Sequence, residues 1–250
     1  GFVIDWTQRF VQKNKETKVM NPLPRPKRYT IGKKPSSLPT GLINKMNRLD
    51  TPMLGHILYW GCMDRGIQAN KGFSPRTVGR ALTVQCPGPD STILHHAIEL
   101  ASPGDILVID RLGDDKYACL GDGVAKAASL SGIIGAIIDG PCTDSIELAE
   151  MGFPVWCRGT APVTTRLLNL AGRIHVPVSC GGVPVLPGNA ILADSEGVYS
   201  LSPDEADIVT EIALTRVSIV EERRKTRPPG VKLGRLTGAS ELVESDLEQH

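Results

Sequence analysis

The middle of the sequence alternates continuous apolar segments with helix-like segments, and this alternation constrains the fold more than any other feature. Apolar runs at 105–110 and 133–138 have the length and character of strands buried on both faces. A helix-like stretch from 122 to 130 connects them, and a second, from 144 to 151, leads to another apolar run at 154–157. Parallel strands need such crossover helices. The pattern therefore predicts an α/β fold with a central sheet of parallel strands.

The same pattern begins one unit earlier. The segment 81–86 is predicted to be a strand, and Asp90 is a candidate N-cap for a helix from 91 to about 101. Beyond residue 173 or so, glycine and proline divide the chain into short β segments, which predict a second, more antiparallel β layer. These segments are 176–178, 183–188, 190–193 and 197–201.

Three parts of the chain differ in character. Residues 1–38 are basic and proline-rich, which favours an N-terminal arm rather than a folded unit. Residues 39–225 hold the strand–helix pattern and end in a long helix that begins at Ser202 as its N-cap. Pro228, Pro229 and Gly230 stop that helix, and residues 226–250 are predicted to form a C-terminal tail.

Composition excludes several classes of function. The net charge is +1 and aromatic residues make up 4% of the chain, so neither electrostatics nor base stacking favours nucleic-acid binding. No run of eighteen apolar residues and no signal peptide is present, which predicts a cytoplasmic protein without a membrane anchor. The six cysteines lack CxxC spacing and are predicted to be buried free thiols.

Two loops that follow predicted parallel strands each bring an aspartate to the start of a helix. Asp122 ends the loop after 105–110, and Asp144 ends the loop after 133–138. A single aspartate at such a position is most simply an N-cap. Two in successive loops crowd negative charge, which a divalent cation would compensate, and free N–H groups at the helix starts would suit an anionic substrate.

Several motifs around these loops resemble those of one family, the RraA-like / 4-hydroxy-4-methyl-2-oxoglutarate aldolases. The resemblance extends from about residue 45 to 222 and covers most of the chain, and together the motifs are specific. They are PGDILVID at 103–110, GIIGAIIDG at 132–140, the D-x-x-E segment at 144–147, GFPVWCRGT at 152–160 and GGVPVLPG at 181–188.

This resemblance implies a β/β/α swivelling-type fold and a homotrimer or hexamer with sites at subunit interfaces. It implies Mg²⁺ or Mn²⁺ as the cofactor, held by Asp144 and supported through water by Asp122, with Glu147 as a further candidate ligand. The substrate would be a small carboxylate. The carboxylate group of this substrate would be bound at the helix start after Gly121. The backbone amides of Gly123 and Val124, in the following turn, would donate hydrogen bonds to it.

The sequence departs from the family at two positions. Thr143 stands where the aldolases have an arginine that steadies the substrate, and a hydroxyl brings no positive charge. Lys116 and Arg158 are candidate replacements, although charged side chains are usually only solvated. His56 replaces an acid of an early helix, and it is either a proton-transfer group or a histidine packed beside the site.

These residues favour a metal-dependent lyase, of aldolase or decarboxylase type, acting on a small oxo- or hydroxy-carboxylate. Because Thr143 lacks charge, we expect weak or absent cleavage of 4-hydroxy-4-methyl-2-oxoglutarate and weak decarboxylation of oxaloacetate, with another small carboxylate as the true substrate. Two alternatives stay open. One is an isomerase, tautomerase or hydrolase of the same fold, and the other is a non-catalytic regulatory binding protein like some members of the family.

Overall fold

A computed structural model describes residues 27–70 and 75–248 of the chain. The predicted N-terminal arm therefore lies, for residues 1–26, outside the described residues. The strands are β1 (Tyr29–Ile31), β2 (Gln68–Ala69), β3 (Thr77–Gln85), β4 (Asp105–Asp110), β5 (Gly135–Ile138), β6 (Val155–Cys157), β7 (Gly172–Ile174), β8 (Val178–Cys180), β9 (Val183–Val185), β10 (Ala190–Ala193) and β11 (Val198–Leu201). The helices are α1 (Thr40–Met46), α2 (Thr51–Gly55), α3 (Thr92–Glu99), α4 (Asp122–Leu130), α5 (Ser145–Glu150), α6 (Pro203–Lys225), α7 (Leu233–Thr237) and α8 (Ala239–Leu247).

A nine-stranded mixed sheet forms the centre of the fold. Seven of its strands follow the order β1-β7-β3-β4-β5-β6-β2, and β10 and β11 are the other two. Strands β3, β4, β5 and β6 are parallel to one another, and the pair β3–β4 is in register from Arg80↔Asp105 to Gln85↔Asp110. Strand β10 pairs antiparallel with β3 and with β11. Strands β8 and β9 form a separate antiparallel hairpin. The carboxyl ends of β4 and β5 therefore lie side by side, which brings their following loops together.

Alternate side chains of the central strands enter two different apolar clusters, as the two-residue period of a strand requires. In β4, Leu107 and Ile109 pack with α3, α4 and α5, while Ile106 and Val108 pack with the β8–β9 hairpin. All four side chains are buried. A third cluster joins α1, α2 and α6 to β10 and β11. Burial on both faces explains why the central strands are continuous apolar runs.

The predicted α/β fold class, with a parallel central sheet, is confirmed. Strand β4 has the predicted bounds, and helix α6 ends at Lys225 as predicted. The second β layer is smaller than the sequence suggested, because β10 and β11 join the main sheet and only β8 and β9 stand apart. Tyr29–Ile31, which falls within the predicted arm, pairs with β7 instead. The predicted tail contains α7 and α8.

All six cysteines are free, and five of them are buried as predicted. Cys62 is exposed, which corrects the prediction for that residue. Within the described part of the chain, no helix combines the length and the apolar character that crossing a bilayer requires.

Candidate functional site

A cavity of about 300 Å³ lies at the loops that follow β4 and β5, where α4 and α5 begin. It includes both aspartates that the sequence singled out. Its lining residues are Ser91, His95, Ala118, Cys119, Gly121, Asp122, Gly123, Val124, Thr143, Asp144, Thr164, Thr165, Arg166 and Leu167. The structure therefore brings together Asp122, Thr143 and Asp144 with the glycines and Val124 of the helix start, as the sequence predicted.

Asp144 precedes α5 in an unusual backbone conformation. Its φ and ψ angles are 54° and 44°, in the left-handed region that non-glycine residues rarely adopt. Its side chain does not cap α5; one carboxylate oxygen accepts a hydrogen bond from the Asp122 N–H at 3.2 Å, and the other accepts from the Thr143 hydroxyl at 3.2 Å. The carboxylate is thus turned towards the start of α4. A strained conformation of this kind is typical of functional sites.

Gly121 allows the close approach of the Asp144 carboxylate to α4. A Cβ atom at Gly121 would lie 2.2 Å from Asp144 Oδ2 and 2.7 Å from Thr143 Cγ2. By contrast, a Cβ atom at Gly123 would meet no atom within 4 Å. The absence of a side chain is therefore a requirement of the site at Gly121 and not at Gly123.

Asp122 is the first residue of α4, and its Oδ1 accepts a hydrogen bond from the Gly123 N–H at 2.6 Å. Both Asp122 and Asp144 are exposed. In the described part of the chain, no lysine or arginine side chain forms an ion pair with either of them. Their negative charge is therefore compensated only by N–H and hydroxyl donors, close to the positive end of the α4 dipole.

This donor set fits a hard divalent cation that keeps water ligands. Mg²⁺ is commonly held by one or two carboxylates, with waters or substrate atoms completing its shell. Asp122 and Asp144 supply the carboxylates. The missing side chain at Gly121 leaves room for the Asp144 carboxylate, and the Asp122 N–H donates a hydrogen bond to it. Among residues 27–70 and 75–248, no group of three or more potential metal-binding side chains forms. Glu147 is exposed on α5 and does not line the cavity, so the geometry of one chain does not support it as a ligand.

A second part of the cavity lining comes from residues 164–167, in the segment after β6. The sequence did not predict that this segment belongs to the site. Arg166 lies there, with its N–H bonded to the Pro89 carbonyl at 2.8 Å and its carbonyl accepting from the Ser91 N–H at 3.0 Å. The neighbouring Thr165 donates its N–H to the Ala118 carbonyl at 3.0 Å. These bonds fix an irregular segment against the loops of the sheet. No helical or strand periodicity in the sequence indicates this placement.

The Asp90 carboxylate holds the same segment from the interior. It is fully buried and accepts hydrogen bonds from the N–H groups of Thr92, Leu168 and Leu170, at 2.9, 3.0 and 2.7 Å. Burial by itself would raise the pKa of Asp90, but these bonds and one from the Thr92 hydroxyl outweigh it and lower the pKa to about 2. The N-cap of α3 is Ser91 and not Asp90, so the predicted N-cap was wrong by one residue. The Asp90 carboxylate instead accepts from the first N–H of α3 and ties down the loop beside Arg166.

Two cations proposed to replace the missing arginine lie outside the cavity lining. Arg158 donates to Asp64 Oδ2 at 2.5 Å and to Asp139 Oδ1 at 2.5 Å, which commits its guanidinium to two carboxylates. Lys116 is exposed, with its Nζ 5.2 Å from the centroid of the Tyr117 ring. The geometry of one chain therefore supports neither as a substrate-binding or catalytic group.

His56 lies in a different groove. It follows α2 and lines this groove with residues of α6, among them Arg216 and Val220. It does not line the cavity of Asp122 and Asp144 within one chain. Proton transfer by His56 therefore has no support from the geometry of a single chain.

Comparison with known proteins identifies the family. A family model described as RraA-like, Aldolase/RraA, matches residues 52–199, which is more than half of the chain. The chain belongs to this RraA-like family. A protein of Halalkalibacterium halodurans named "Putative 4-hydroxy-4-methyl-2-oxoglutarate aldolase" is 37% identical over 150 residues, which cover 60% of this chain and 71% of the relative. Relatives with this name support a lyase-type function.

Solved structures of the same family have the same fold. RraAS2 of Streptomyces coelicolor, described as an unusual member of the RNase ES inhibitor RraA family, has a TM-score of 0.67 and 28% identity, covering 77% of this chain and 98% of its own. The RNA-processing inhibitor RraA of Thermus thermophilis has a TM-score of 0.55 and 25% identity, covering 62% and 92%. Relatives of this chain thus include proteins named as aldolases and proteins described as inhibitors.

Proposed function

We propose that this protein is a divalent-metal-dependent lyase that cleaves or decarboxylates a small oxo- or hydroxy-carboxylate. The observation that carries the proposal is the convergence of Asp122 and Asp144 in one cavity, where neither carboxylate forms an ion pair with a described residue. Mg²⁺ or Mn²⁺ would be held by these two carboxylates, and Glu147 has a weaker claim as a ligand because it lies outside the lining. When bound, the metal would polarise the substrate carbonyl and stabilise negative charge on its oxygen.

The residues of the chain itself would bind and orient the substrate. The first-turn N–H groups of α4, at Gly123 and Val124, lie at a helix start and suit a carboxylate. The Thr143 hydroxyl, which donates to Asp144, would keep that carboxylate in its turned position. The cavity of about 300 Å³ accommodates a small oxo acid.

The test of this proposal is a direct assay of two reactions. Oxaloacetate decarboxylation and 4-hydroxy-4-methyl-2-oxoglutarate cleavage would be followed with Mg²⁺ or Mn²⁺, and again after chelation. We expect turnover of the native protein, and we expect chelation to abolish it. The Glu147→Ala variant should keep this turnover, and the Asp122→Ala variant should lose it. Turnover that survives chelation would contradict the proposal, and so would a protein that shows neither turnover nor thermal stabilisation with Mg²⁺ and Mn²⁺.

The alternative reactions of the same fold can be separated by their products. An isomerase or tautomerase would form an enolate without cleaving a carbon–carbon bond. Pyruvate would be incubated with the protein and Mn²⁺ in D₂O, and the Mn²⁺ would be chelated before the proton NMR spectrum is recorded. For an isomerase or tautomerase, the methyl signal of pyruvate should be lost while the lyase assays stay negative. Methyl exchange together with cleavage of either test substrate would support the lyase.

A non-catalytic binding role is the second candidate, because structural relatives at 28% and 25% identity are described as inhibitors. The uncompensated pair Asp122 and Asp144 argues against it, since a protein that only binds another protein has no need for a strained carboxylate at a cavity. A chain that gains no thermal stability from Mg²⁺ or Mn²⁺ and turns over neither substrate would favour the binding role.

We also propose a homotrimer or hexamer with its sites at subunit interfaces. Apolar side chains beside the cavity are exposed in the single chain, as a surface covered by a second copy would be. They are Val163, Leu167, Leu168 and Leu170. Sedimentation at micromolar concentration should give a trimer or a hexamer, and Leu168→Lys should weaken the assembly. A native monomer would contradict this proposal.

A further inference from the structure

Among the described residues that line the cavity, Arg166 is the only lysine or arginine. Its guanidinium forms no hydrogen bond or ion pair with another side chain in the part of the chain that the structure describes, whereas Arg158 is held by two carboxylates. Arg111, another arginine near these loops, is fully buried and donates to the Cys86 carbonyl and to Asp114. Arg166 is thus a cation of this region whose positive charge is not paired with a carboxylate of the described residues.

The position of Arg166 is built into the fold. Its backbone is bonded on both sides, to the carbonyl of Pro89 and to the N–H of Ser91. The following residues are held by the buried carboxylate of Asp90, through the N–H groups of Leu168 and Leu170. Because the backbone is already fixed, a ligand would have to order only the exposed side chain of Arg166.

The cavity lining has two parts with opposite charge. The acidic part consists of Asp122, Thr143 and Asp144 with the start of α4, and the basic part contains Arg166 with His95 and Thr165. The hydrogen bond between the Thr165 N–H and the Ala118 carbonyl fixes the basic part against the loop that leads to α4. A cation on the acidic part would attract one end of an anionic substrate, and the basic part would attract a second negative group.

We propose that Arg166 binds the carboxylate of a dicarboxylic 2-oxo acid at the end remote from the acidic pair. A guanidinium matches a carboxylate with two parallel hydrogen bonds, which a lysine cannot reproduce. The inference rests on the proposed function. Bound at the remote end, Arg166 would select the substrate and would not replace the charge that is missing at Thr143.

The experiment compares two probes of different charge by calorimetry with saturating Mn²⁺. Pyruvate carries one carboxylate, and 2-oxoglutarate carries the same 2-oxo acid group and a second carboxylate. The native protein should bind 2-oxoglutarate more tightly than pyruvate. Arg166→Met should weaken 2-oxoglutarate binding by roughly 10- to 100-fold, as expected for a lost charge-assisted bond, and change pyruvate binding by less than about twofold.

Two further variants complete the comparison. Arg166→Lys should recover part of the 2-oxoglutarate affinity because it restores the charge without the paired geometry. Arg173→Met is the matched control, since Arg173 is exposed on β7 and does not line the cavity. If oxaloacetate is turned over, Arg166→Met should raise KM and leave kcat nearly unchanged.

The outcomes separate this inference from the proposed function. Equal weakening of both probes, or of neither, in Arg166→Met would overturn the assignment of Arg166 to the remote carboxylate while leaving the lyase proposal intact. A native protein that prefers pyruvate would overturn it in the same way. A native protein that binds neither probe with Mn²⁺ would contradict the proposed function and this inference together.

Discussion

Two groups of carboxylates lie on the loops around the parallel strands, and they differ in how their charge is compensated. In the first, Asp64 and Asp139 share the guanidinium of Arg158. In the second, the donors that the described residues offer to Asp122 and Asp144 are backbone N–H groups and a neighbouring hydroxyl. The first group is a closed ion-pair network between side chains far apart in the sequence. The second keeps its charge available to a ligand.

This difference separates a structural role from a functional one by physical criteria. The hydrogen bond from Arg158 lowers the pKa of Asp64, so this carboxylate is stable as an anion at neutral pH without any ligand. Adjacent carboxylates without a cation repel each other, and a bound divalent ion removes that repulsion. Substitutions in the first group should therefore change stability, and those in the second should change binding and activity.

The largest effect is expected for Asp144→Ala. Losing a carboxylate that holds the metal should reduce any lyase activity by about 1000-fold or more, because a metal supplies several kcal/mol of transition-state stabilisation. The same variant should lose the thermal stabilisation by Mn²⁺ that the native protein shows. Asp64→Ala, from the first group, is the matched control and should keep both. Equal loss in the two variants would erase the distinction between the groups.

A smaller effect on the same site is expected for Gly121→Ala. The new Cβ would lie 2.2 Å from Asp144 Oδ2, so the carboxylate must move away from the start of α4. We expect Mn²⁺ affinity to fall by roughly 10- to 100-fold, the range found when groups that orient metal ligands are removed. Gly123→Ala has open space around its Cβ and should bind Mn²⁺ like the native protein. Unchanged binding in Gly121→Ala would show that the turned carboxylate is not needed.

Asp90→Asn should act on stability rather than on the metal. Its carboxyl has a pKa of about 2 in the folded chain, against an ordinary value near 3.8. The charged form therefore stabilises the fold by about 2–3 kcal/mol above pH 4, and this contribution is lost as the pH falls through about 2. Urea unfolding should show native and variant differing at pH 7 and converging near pH 2. Asp115→Asn, at an exposed position, is the control. A difference that persists at pH 2 would assign the effect to packing.

The smallest effect is expected for Arg158→Met. Its ion pairs are partly exposed, so their loss should cost about 1 kcal/mol or less of unfolding free energy. Mn²⁺ binding should not change, because Arg158 does not line the cavity. Urea unfolding of the variant beside the native protein measures the first quantity, and calorimetric titration with Mn²⁺ measures the second. Loss of Mn²⁺ binding in Arg158→Met would show that both carboxylate groups are needed for metal binding.

The sequence was sufficient for the acidic part of the cavity because that part depends on local rules. Asp122 and Asp144 follow apolar runs long enough to be buried parallel strands, and loops after such strands meet at one edge of the sheet. The turned conformation of Asp144 was not predictable, since it depends on the empty space at Gly121. The family resemblance indicated the same residues without giving their geometry.

The basic part of the cavity depends on contacts between distant segments. Arg166 is placed by hydrogen bonds to residues 89 and 91, and the sequence carries no periodic signal around it. Arg158 was a candidate substrate cation only because its partner Asp64, 94 residues away, could not be foreseen. Strand β10 similarly joined the main sheet by pairing with β3, more than 100 residues earlier in the chain. Long-range pairing, rather than local propensity, accounts for these differences.

The central claim is that Asp122 and Asp144 hold one divalent metal ion, and the most direct measurement is an electron paramagnetic resonance titration with Mn²⁺. The signal of free Mn²⁺ counts the bound ions without any substrate or turnover. We expect one bound ion per chain in the native protein, none in Asp144→Ala at the same concentrations, and one in Asp64→Ala. Tight binding of Mn²⁺ that survives in Asp144→Ala, or a native chain that binds none, would contradict it.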